Sequence, residues 1–506
     1  MNDFLTGPGV YEAAHAYRRA LPPGELLAFP ITDLDRTGIP TWKAVFFPSD
    51  GSATIHNGHS YGPTSAQAIL GALGELSETV HAHAALATLE RRRASYVELA
   101  RSVGAAGAIH PFRLGLPAGS EVTADTQLDW VTGSRYQNGE PVWLPIDVVA
   151  VGAQDMPGYR PFTTPLTNGL GAGPTRDFAL AHGLQELLQR DGNGLRFRAL
   201  DAGVALDLAS LADPLVTDLL QRFAHAGIEP LVKFASDEFG IANVYAVGAE
   251  PAGVAAPLPI MVTAAGEAAS PDRAVAVRKA LLEFGAARPR KAFAHEPLET
   301  AARVAPAQYL ERVLPRLTRH ATAAEEPRAL SAMLRWLELD QAQLRATIAD
   351  PVLRITSTKP ASALPVWQPV QATAEPGREL CATLAQRLSS AGLEIFYVDF
   401  SSPHMRALGV HVVKAIVPGL EVETLSYYRI GERNARSLLA SESSLAVRRE
   451  RPGCRRVRLL PEAEARLGGP VYLDVAAAER LVGALYPLYR EPDVHVAPLA
   501  RTALAS

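Results

Sequence analysis

A segment that opens with Gly-Pro-Thr and carries a glutamate thirteen residues later occurs twice in this chain, and a third, weaker copy follows. Gly62-Pro63-Thr64 leads to Ala68, Leu73, Glu75, Leu76 and Glu78. Gly173-Pro174-Thr175 leads, at the same offsets, to Ala179, Leu184, Glu186, Leu187 and Gln189. The third copy starts Ser270-Pro271-Asp272 and passes through Ala276 and Leu281 to Glu283, with Ala286 where the first has Glu78. An internal repeat of this kind limits the fold to one that uses the same unit several times. Proline tolerates the first turn of a helix, so each copy reads as a turn opening an amphipathic helix with a carboxylate well inside it.

Glu75 and Glu78 lie three apart and share a helix face, as do Glu186 and Gln189. A carboxylate in an apolar stretch such as Ala72-Leu73-Gly74-Glu75-Leu76 is costly to bury unpaired. A hard divalent cation between several such groups removes that cost. Mg²⁺ suits the arrangement, because it takes one or two carboxylates and completes its shell with water and phosphate oxygens. The competing reading, a glutamate facing solvent or a nearby arginine, serves for one Glu-x-x-Glu but less well for a spacing that recurs. Ahead of the second copy, Thr167-Asn168-Gly169-Leu170-Gly171-Ala172-Gly173 has three alternate glycines that allow close backbone approach to a ligand, before a helix start that favours anions. The Gly-Lys-Ser/Thr ending of a P-loop and the spacing of a dinucleotide fingerprint are both missing. With the acidic helices and Arg190, the stretch points to a phosphate-bearing ligand with metal.

Elsewhere, strands are expected at 41–47, 142–149, 242–247, 258–262, 394–400 and 410–417, from their β-branched and aromatic content between Pro and Gly. A helical extension is expected over 1–28, a helical insertion at about 300–350 and a loop at 357–362. Intermixed strands and helices indicate an α/β or α+β fold. With 49 Lys plus Arg against 53 Asp plus Glu, the chain lacks the basic excess of a nucleic-acid binder. Two cysteines, Cys381 and Cys454, cannot build a disulfide framework or a four-thiolate zinc site. No apolar run approaches a membrane span and the N-terminus does not read as a signal peptide, so a cytoplasmic location is expected.

These residues resemble the YcaO family. Its Asn-Gly-x-x-Ala-Gly-x-Thr stretch, running into a helix that ends Glu-x-x-Glu-Arg-Asp, is similar to Asn168 through Thr175 followed by Glu186-Leu187-Leu188-Gln189-Arg190-Asp191. Its Ala-Leu-Gly-Glu-x-x-Glu segment is matched by Ala72 through Glu78, and Leu-Asp-Arg-x-Gly-Ile-Pro by Leu34 through Pro40. The third helix is matched by Lys279-Ala280-Leu281-Leu282-Glu283 with Arg288, and a late Val-Pro-Gly-Leu-Glu by Val417 through Glu421. The resemblance spans roughly residues 30 to 440. It implies mixed sheets flanked by helices with ATP and Mg²⁺ held between sheets, in a catalytic domain over 29–440 followed by a C-terminal extension over 441–506. It also implies phosphorylation of a peptide backbone carbonyl oxygen, then attack by a side-chain thiol or hydroxyl, an N-terminal amine or sulfide. The products are azolines, macroamidines or thioamides. By the same resemblance Glu75, Glu78, Glu186 and Gln189 are metal ligands, and Asn168, Arg190, Glu283 and Arg288 contact nucleotide. The expected partner is a ribosomally made precursor peptide, and a homodimer is left open.

Three positions and the last residues depart from the family pattern. Gln189 replaces a glutamate, Ser60 and Tyr61 replace a Gly and a Lys, and the last residues lack the Pro-x-Pro-x-Pro tail common in azoline-forming members. The general base is therefore unassigned, and no fused leader-binding domain is expected ahead of residue 30. Cyclodehydration or macroamidine formation ranks first. A di-iron centre built on Glu78-Thr79-Val80-His81 lacks its second Glu-x-x-His. A non-catalytic partner subunit is the other reading. The basic run Arg448–Arg458 reads as a solvated edge or a surface for an acidic peptide or phosphate.

Overall fold

Each copy of the repeat opens a helix, and a side chain just after the proline starts it. The computed structural model describes residues 8–51, 54–250, 254, 258–261, 264–320, 327–368, 375–441 and 443–505. The three helices are α1 (Ser65–Leu86), α2 (Arg176–Gly194) and α3 (Arg273–His295). Thr64 Oγ1 accepts from the Gln67 N–H at 3.3 Å, and Thr175 Oγ1 from Phe178 N–H at 3.1 Å. Asp272 Oδ1 accepts from Ala274 and Val275 N–H at 2.9 and 3.1 Å. These are N-caps. Pro63, Pro174 and Pro271 thus precede the cap rather than occupy the first turn, which corrects the expected reason for the helix starts.

The repeat also extends upstream into a strand: β1 (His56–Tyr61), β2 (Leu170–Gly173) and β3 (Ala264–Ser270). Four residues before each Gly/Ser-Pro stands a glycine, Gly58, Gly169 or Gly266. A Cβ on Gly58 would lie 2.2 Å from Ala72 O, and one on Gly266 2.2 Å from both Ala280 O and Phe284 N. In the second copy a Cβ on Gly171 would meet Ala179 O at 2.0 Å, and one on Gly183 would meet Gly169 O at 2.2 Å. Helix backbone therefore presses onto strand backbone, and only glycine permits it. Gly171 makes room for α2 backbone and Gly173 for the Phe178 side chain, whereas Gly169, at φ +88°, would bring a Cβ against Ala415 O of the neighbouring strand.

By its internal contacts the chain divides into two units, Met1–Ser77, Arg196–Gln368 and Ala484–Ser506 forming the first, Glu78–Leu195 and Pro369–Gly483 the second. The division falls within α1. In the first unit, Gly24–Pro30, Thr41–Pro48 and β1 form an antiparallel sheet in that order. A five-stranded sheet follows the order β3, Ala242–Gly248, Leu231–Ser236, Val204–Asp207, Ser357–Pro360. The strand Ala242–Gly248 is buried along its whole length. Val244 and Ala246 pack with Phe223, Leu281 and Phe284, while Tyr245 and Val247 pack with Phe197. Phe29, Val45 and Phe47 of the smaller sheet pack on Phe293 of α3 and on Tyr309 and Val313. Helices Ala307–His320 and Pro327–Trp336 occupy the expected helical insertion.

In the second unit the main sheet runs Arg92–Ala94, Leu128–Arg135, Phe396–Asp399, His411–Ile416, β2, with Pro141–Pro145 paired to Leu128–Arg135. Among the described residues no helix is long and apolar enough to cross a membrane. Three sequence expectations need correction. The strand expected over 142–149 ends at Pro145, and Ile146–Val149 turns helical with Asp147 accepting from Phe162 N–H and Tyr159 OH. Pro259–Met261 forms a short 3-10 turn instead of a strand. Ser357–Pro360, expected as a loop, pairs in parallel with Val204–Asp207. The helical extension expected over 1–28 contains the helix Pro8–Ala20 and the start of the strand Gly24–Pro30.

Candidate functional site

In the first unit, β1 is read on both faces. Gly58 faces α1, while the register sets Lys43 opposite His59 and Thr41 opposite Tyr61 on the other face. Glu75 on α1 is held by the strand: its Oε2 accepts from His59 N–H at 3.0 Å, and its side chain stays 41% exposed. The Tyr61 hydroxyl donates to Glu283 Oε2 at 3.0 Å. Burial pushes the Lys43 ammonium down to about 8, with the Glu75 charge opposing and Arg290 adding to the shift. Burial likewise raises the Tyr61 phenol well above its ordinary range, and the Glu283 carboxylate adds to this.

About two turns and more beyond Glu283 on α3, Arg290, Lys291 and His295 converge on Glu491 of the C-terminal segment. Arg290 is bidentate at 3.1 and 2.9 Å, Lys291 Nζ lies at 3.1 Å and His295 Nε2 at 3.3 Å. Burial alone would raise the Glu491 carboxyl, yet these partners hold it well below the usual carboxylate range. Arg288, expected to contact nucleotide, is fully buried between Asp35 at 2.9 Å and Glu250 at 2.6 Å, and Arg36 also pairs with Glu250. The Arg288 Nη1 is buried with no hydrogen-bond partner. The Leu34-Asp35-Arg36 motif serves that ion network.

The second unit repeats the tether. Glu186 Oε2 accepts from Gly169 N–H at 3.0 Å, and Oε1 stands 3.9 Å from Arg190 Nη2. Glu78 lies 3.9 Å from His182 Nε2. Gln189 is half-buried on the face that carries Glu186. Asn168 Nδ2 is buried with no hydrogen-bond partner, a donor that an added acceptor would satisfy. Asp191, the end of the same motif, does not face outward: it takes a bidentate Arg433 and the Glu421 N–H at 2.8 Å. Lys414 Nζ donates to Ala150 O at 2.9 Å and Leu166 O at 2.5 Å, and burial lowers it to about 7.

These donors fit the expected ligands. Oxygen ligands suit Mg²⁺, which needs few carboxylates when phosphate and water complete its shell. Among the described residues no three His, Cys, Asp or Glu side chains are grouped to hold a metal by themselves. Sequence reasoning missed Lys43, His59, Arg290 and Glu491. The available signal was Lys43, a cation at strand spacing from Val45 and Phe47.

Residues 59–421 match the YcaO cyclodehydratase family, described as ATP- and Mg²⁺-binding. The chain belongs to the YcaO family. A protein of Methanothermobacter thermautotrophicus without an assigned function is 28% identical over 409 residues, 80% of this chain and 91% of the relative. Among solved structures, YcaO from Methanopyrus kandleri, bound with AMPPCP and Mg²⁺, has a TM-score of 0.54 at 18% identity over 83% of this chain and 92% of its own. A heterocyclase in complex with substrate and cofactor has a TM-score of 0.58 at 19% identity over 82% of this chain. The chain spans 52% of that heterocyclase, about half its length. These likenesses show a YcaO fold, mixed α/β with several sheets. ATP and Mg²⁺ are the cofactors of the matched domain.

Proposed function

We propose that this YcaO protein activates a backbone amide of a ribosomally made precursor peptide and closes it to an azoline or macroamidine. The observation that carries the reading is the duplicated tether, Glu75 to His59 N–H and Glu186 to Gly169 N–H, inside a chain that belongs to this family. Each tether fixes one carboxylate oxygen on backbone at or beside a strand, and the other oxygen stands near a cationic or imidazole side chain, 3.6 Å from His59 Nδ1 for Glu75 and 3.9 Å from Arg190 Nη2 for Glu186. ATP supplies the phosphoryl group that makes the amide oxygen a leaving group, with Mg²⁺ neutralising phosphate charge.

Glu75, Glu78, Glu186 and Gln189 hold the metal in this reading. Asn168 donates to nucleotide through its unpartnered Nδ2, Arg190 offers its guanidinium to phosphate, and Glu283 is oriented by Tyr61. The amide oxygen departs as part of phosphate when the nucleophile adds to the carbonyl carbon, so the peptide loses one water. The test is Mg²⁺-ATP turnover with candidate precursor peptides, followed by peptide mass. Peptide-dependent phosphate release with loss of one water supports the reading. Exchange of oxygen for sulfur assigns thioamide formation instead, and nucleotide binding without turnover on any peptide assigns a non-catalytic subunit.

A further inference from the structure

Two cations and a histidine of α3 meet one carboxylate that comes from outside the residues matched to the family, 59–421. Glu491 lies in the C-terminal segment, and that segment is clamped to the first unit next to it. His495 N–H donates to Ala294 O at 2.8 Å, and His495 Nε2 lies 2.9 Å from the Tyr309 hydroxyl. The Glu491 side chain is therefore delivered to α3 by a fixed backbone rather than by a passing surface loop.

The three partners differ in accessibility. Lys291 and His295 are 5% and 1% exposed; Glu491 is the counter-ion of Lys291 and a polar partner of the His295 ring, whose burial favours its neutral form. Arg290 is different: its side chain is 31% exposed. A bidentate fork of this kind uses two of the five guanidinium N–H donors and fixes the plane of the group. Glu283, seven residues before Arg290 on α3, takes the Tyr61 hydroxyl of β1 at 3.0 Å. The Phe293 ring, three residues after it, lies 6.0 Å from Lys43 Nζ, which stands opposite His59, the backbone partner of Glu75. Arg290 therefore sits on the stretch of α3 that faces the sheet holding both repeat carboxylates.

We infer that Glu491 is a positioning residue for nucleotide. It holds Arg290 in one orientation, with its remaining donors turned to the phosphates of ATP, and so makes the C-terminal segment part of the ATP site. A flexible arginine pays rotamer entropy on every binding event, and a fixed one has already lost it. The inference rests on the ATP-binding part of the proposed function and not on the peptide chemistry.

The test is a double-mutant cycle on nucleotide affinity, with Mg²⁺ and a non-hydrolysable ATP analogue titrated calorimetrically into the full chain. Glu491→Gln is expected to weaken binding about tenfold, which corresponds to roughly 1.4 kcal/mol. In an Arg290→Met background the same change is expected to have little further effect, because Glu491 acts through Arg290. In turnover, KM for ATP rises while kcat holds, whereas a loss of folded protein lowers the active fraction at unchanged KM. Glu491→Asp keeps the charge beside Lys291 and His295 and serves if the amide variant folds poorly; it is expected to bind nucleotide with intermediate affinity. Parent-like affinity in Glu491→Gln or in Arg290→Met overturns the inference, as does a full effect of Glu491→Gln in the Arg290→Met background. If nucleotide binds as expected and no peptide is modified, the positioning role stands and the proposed reaction falls.

Discussion

The carboxylate of Asp191 accepts a 2.8 Å hydrogen bond from the backbone N–H of Glu421, joining the end of one sequence motif to the end of another 230 residues later. Glu421 in turn accepts from Gly431, Arg433 and Asn434 N–H at 2.6, 2.7 and 3.2 Å, capping the helix Glu432–Ala440. Arg433 closes the loop by returning to Asp191. Two motifs that read as functional in the sequence are thus joined by a buried polar network.

That network sets the first prediction. Asp191→Ala removes one partner of an ion pair that is largely buried and leaves Arg433 uncompensated. Unit-specific unfolding in urea is expected to show a loss of about 3 kcal/mol. Near-parent stability would mean that the network is dispensable.

Gly266→Ala tests the strand–helix contact that recurs in the repeat. The new Cβ would stand 2.2 Å from two backbone atoms of α3, neither of which is the end of a flexible side chain. A loss of about 3 kcal/mol is expected in thermal or denaturant unfolding. Gly139→Ala is a poor control because its φ is positive, so Gly74→Ala, with its nearest atoms 3.8 Å away, is the comparison expected to be mild.

The helix starts of the repeat were read from Pro63, Pro174 and Pro271, but the local signal that sets them is the next residue, the cap Thr64, Thr175 or Asp272. The glycines at 58 and 266 were not legible, because their reason is the backbone of a helix that begins several residues later, and Gly169 answers to Ala415 O of a strand far along the chain. Ser357–Pro360 was unreadable as a strand for a similar cause: its partner is Val204–Asp207, and its own residues are polar and mostly exposed. In the candidate site, Glu75 and Glu186 stood out by repetition, whereas Glu491 has no local pattern and acquires meaning only from α3. The ion pairs of Arg288 were not legible because Asp35 and Glu250 lie 253 and 38 residues away from it in sequence.

Glu75→Gln and Glu186→Gln probe the metal assignment with little disturbance of the fold. The amide oxygen of glutamine still accepts from His59 or Gly169 N–H, so the tether survives, while the charge for Mg²⁺ is lost. Mg²⁺-ATP turnover is expected to fall by about 100-fold or more in each variant, with an unchanged melting temperature. Parent-like turnover in both would remove these residues from the metal site.

Protonation of His81 gives a pH test of the second unit. This α1 histidine is 6% exposed, its Nε2 is buried without a partner, and burial lowers it to about 4 from 6.5. Its folded state favours the neutral ring. The associated stability is therefore fully present above pH 6.5 and is lost as pH falls toward 4, by roughly 3 kcal/mol in all. His81→Leu is expected to flatten that part of the stability–pH curve, measured by urea unfolding at successive pH values. An unchanged slope would show that the ring is solvated or paired when the protein is folded.

Gln189 is the departure from the family pattern with the clearest direction. It stands three residues beyond Glu186 on one face of α2, where its amide oxygen can reach a cation but contributes no charge. Restoring the acid by Gln189→Glu adds a negative ligand without adding length. The variant is expected to keep its activity and to bind Mg²⁺ roughly threefold to tenfold more tightly in the presence of nucleotide, since ligand charge tunes affinity for hard cations. Titration of Mg²⁺ against ATP turnover measures this directly. An unchanged Mg²⁺ requirement, together with a nucleotide complex in which residue 189 points away from the metal, would place Gln189 outside the ligand set.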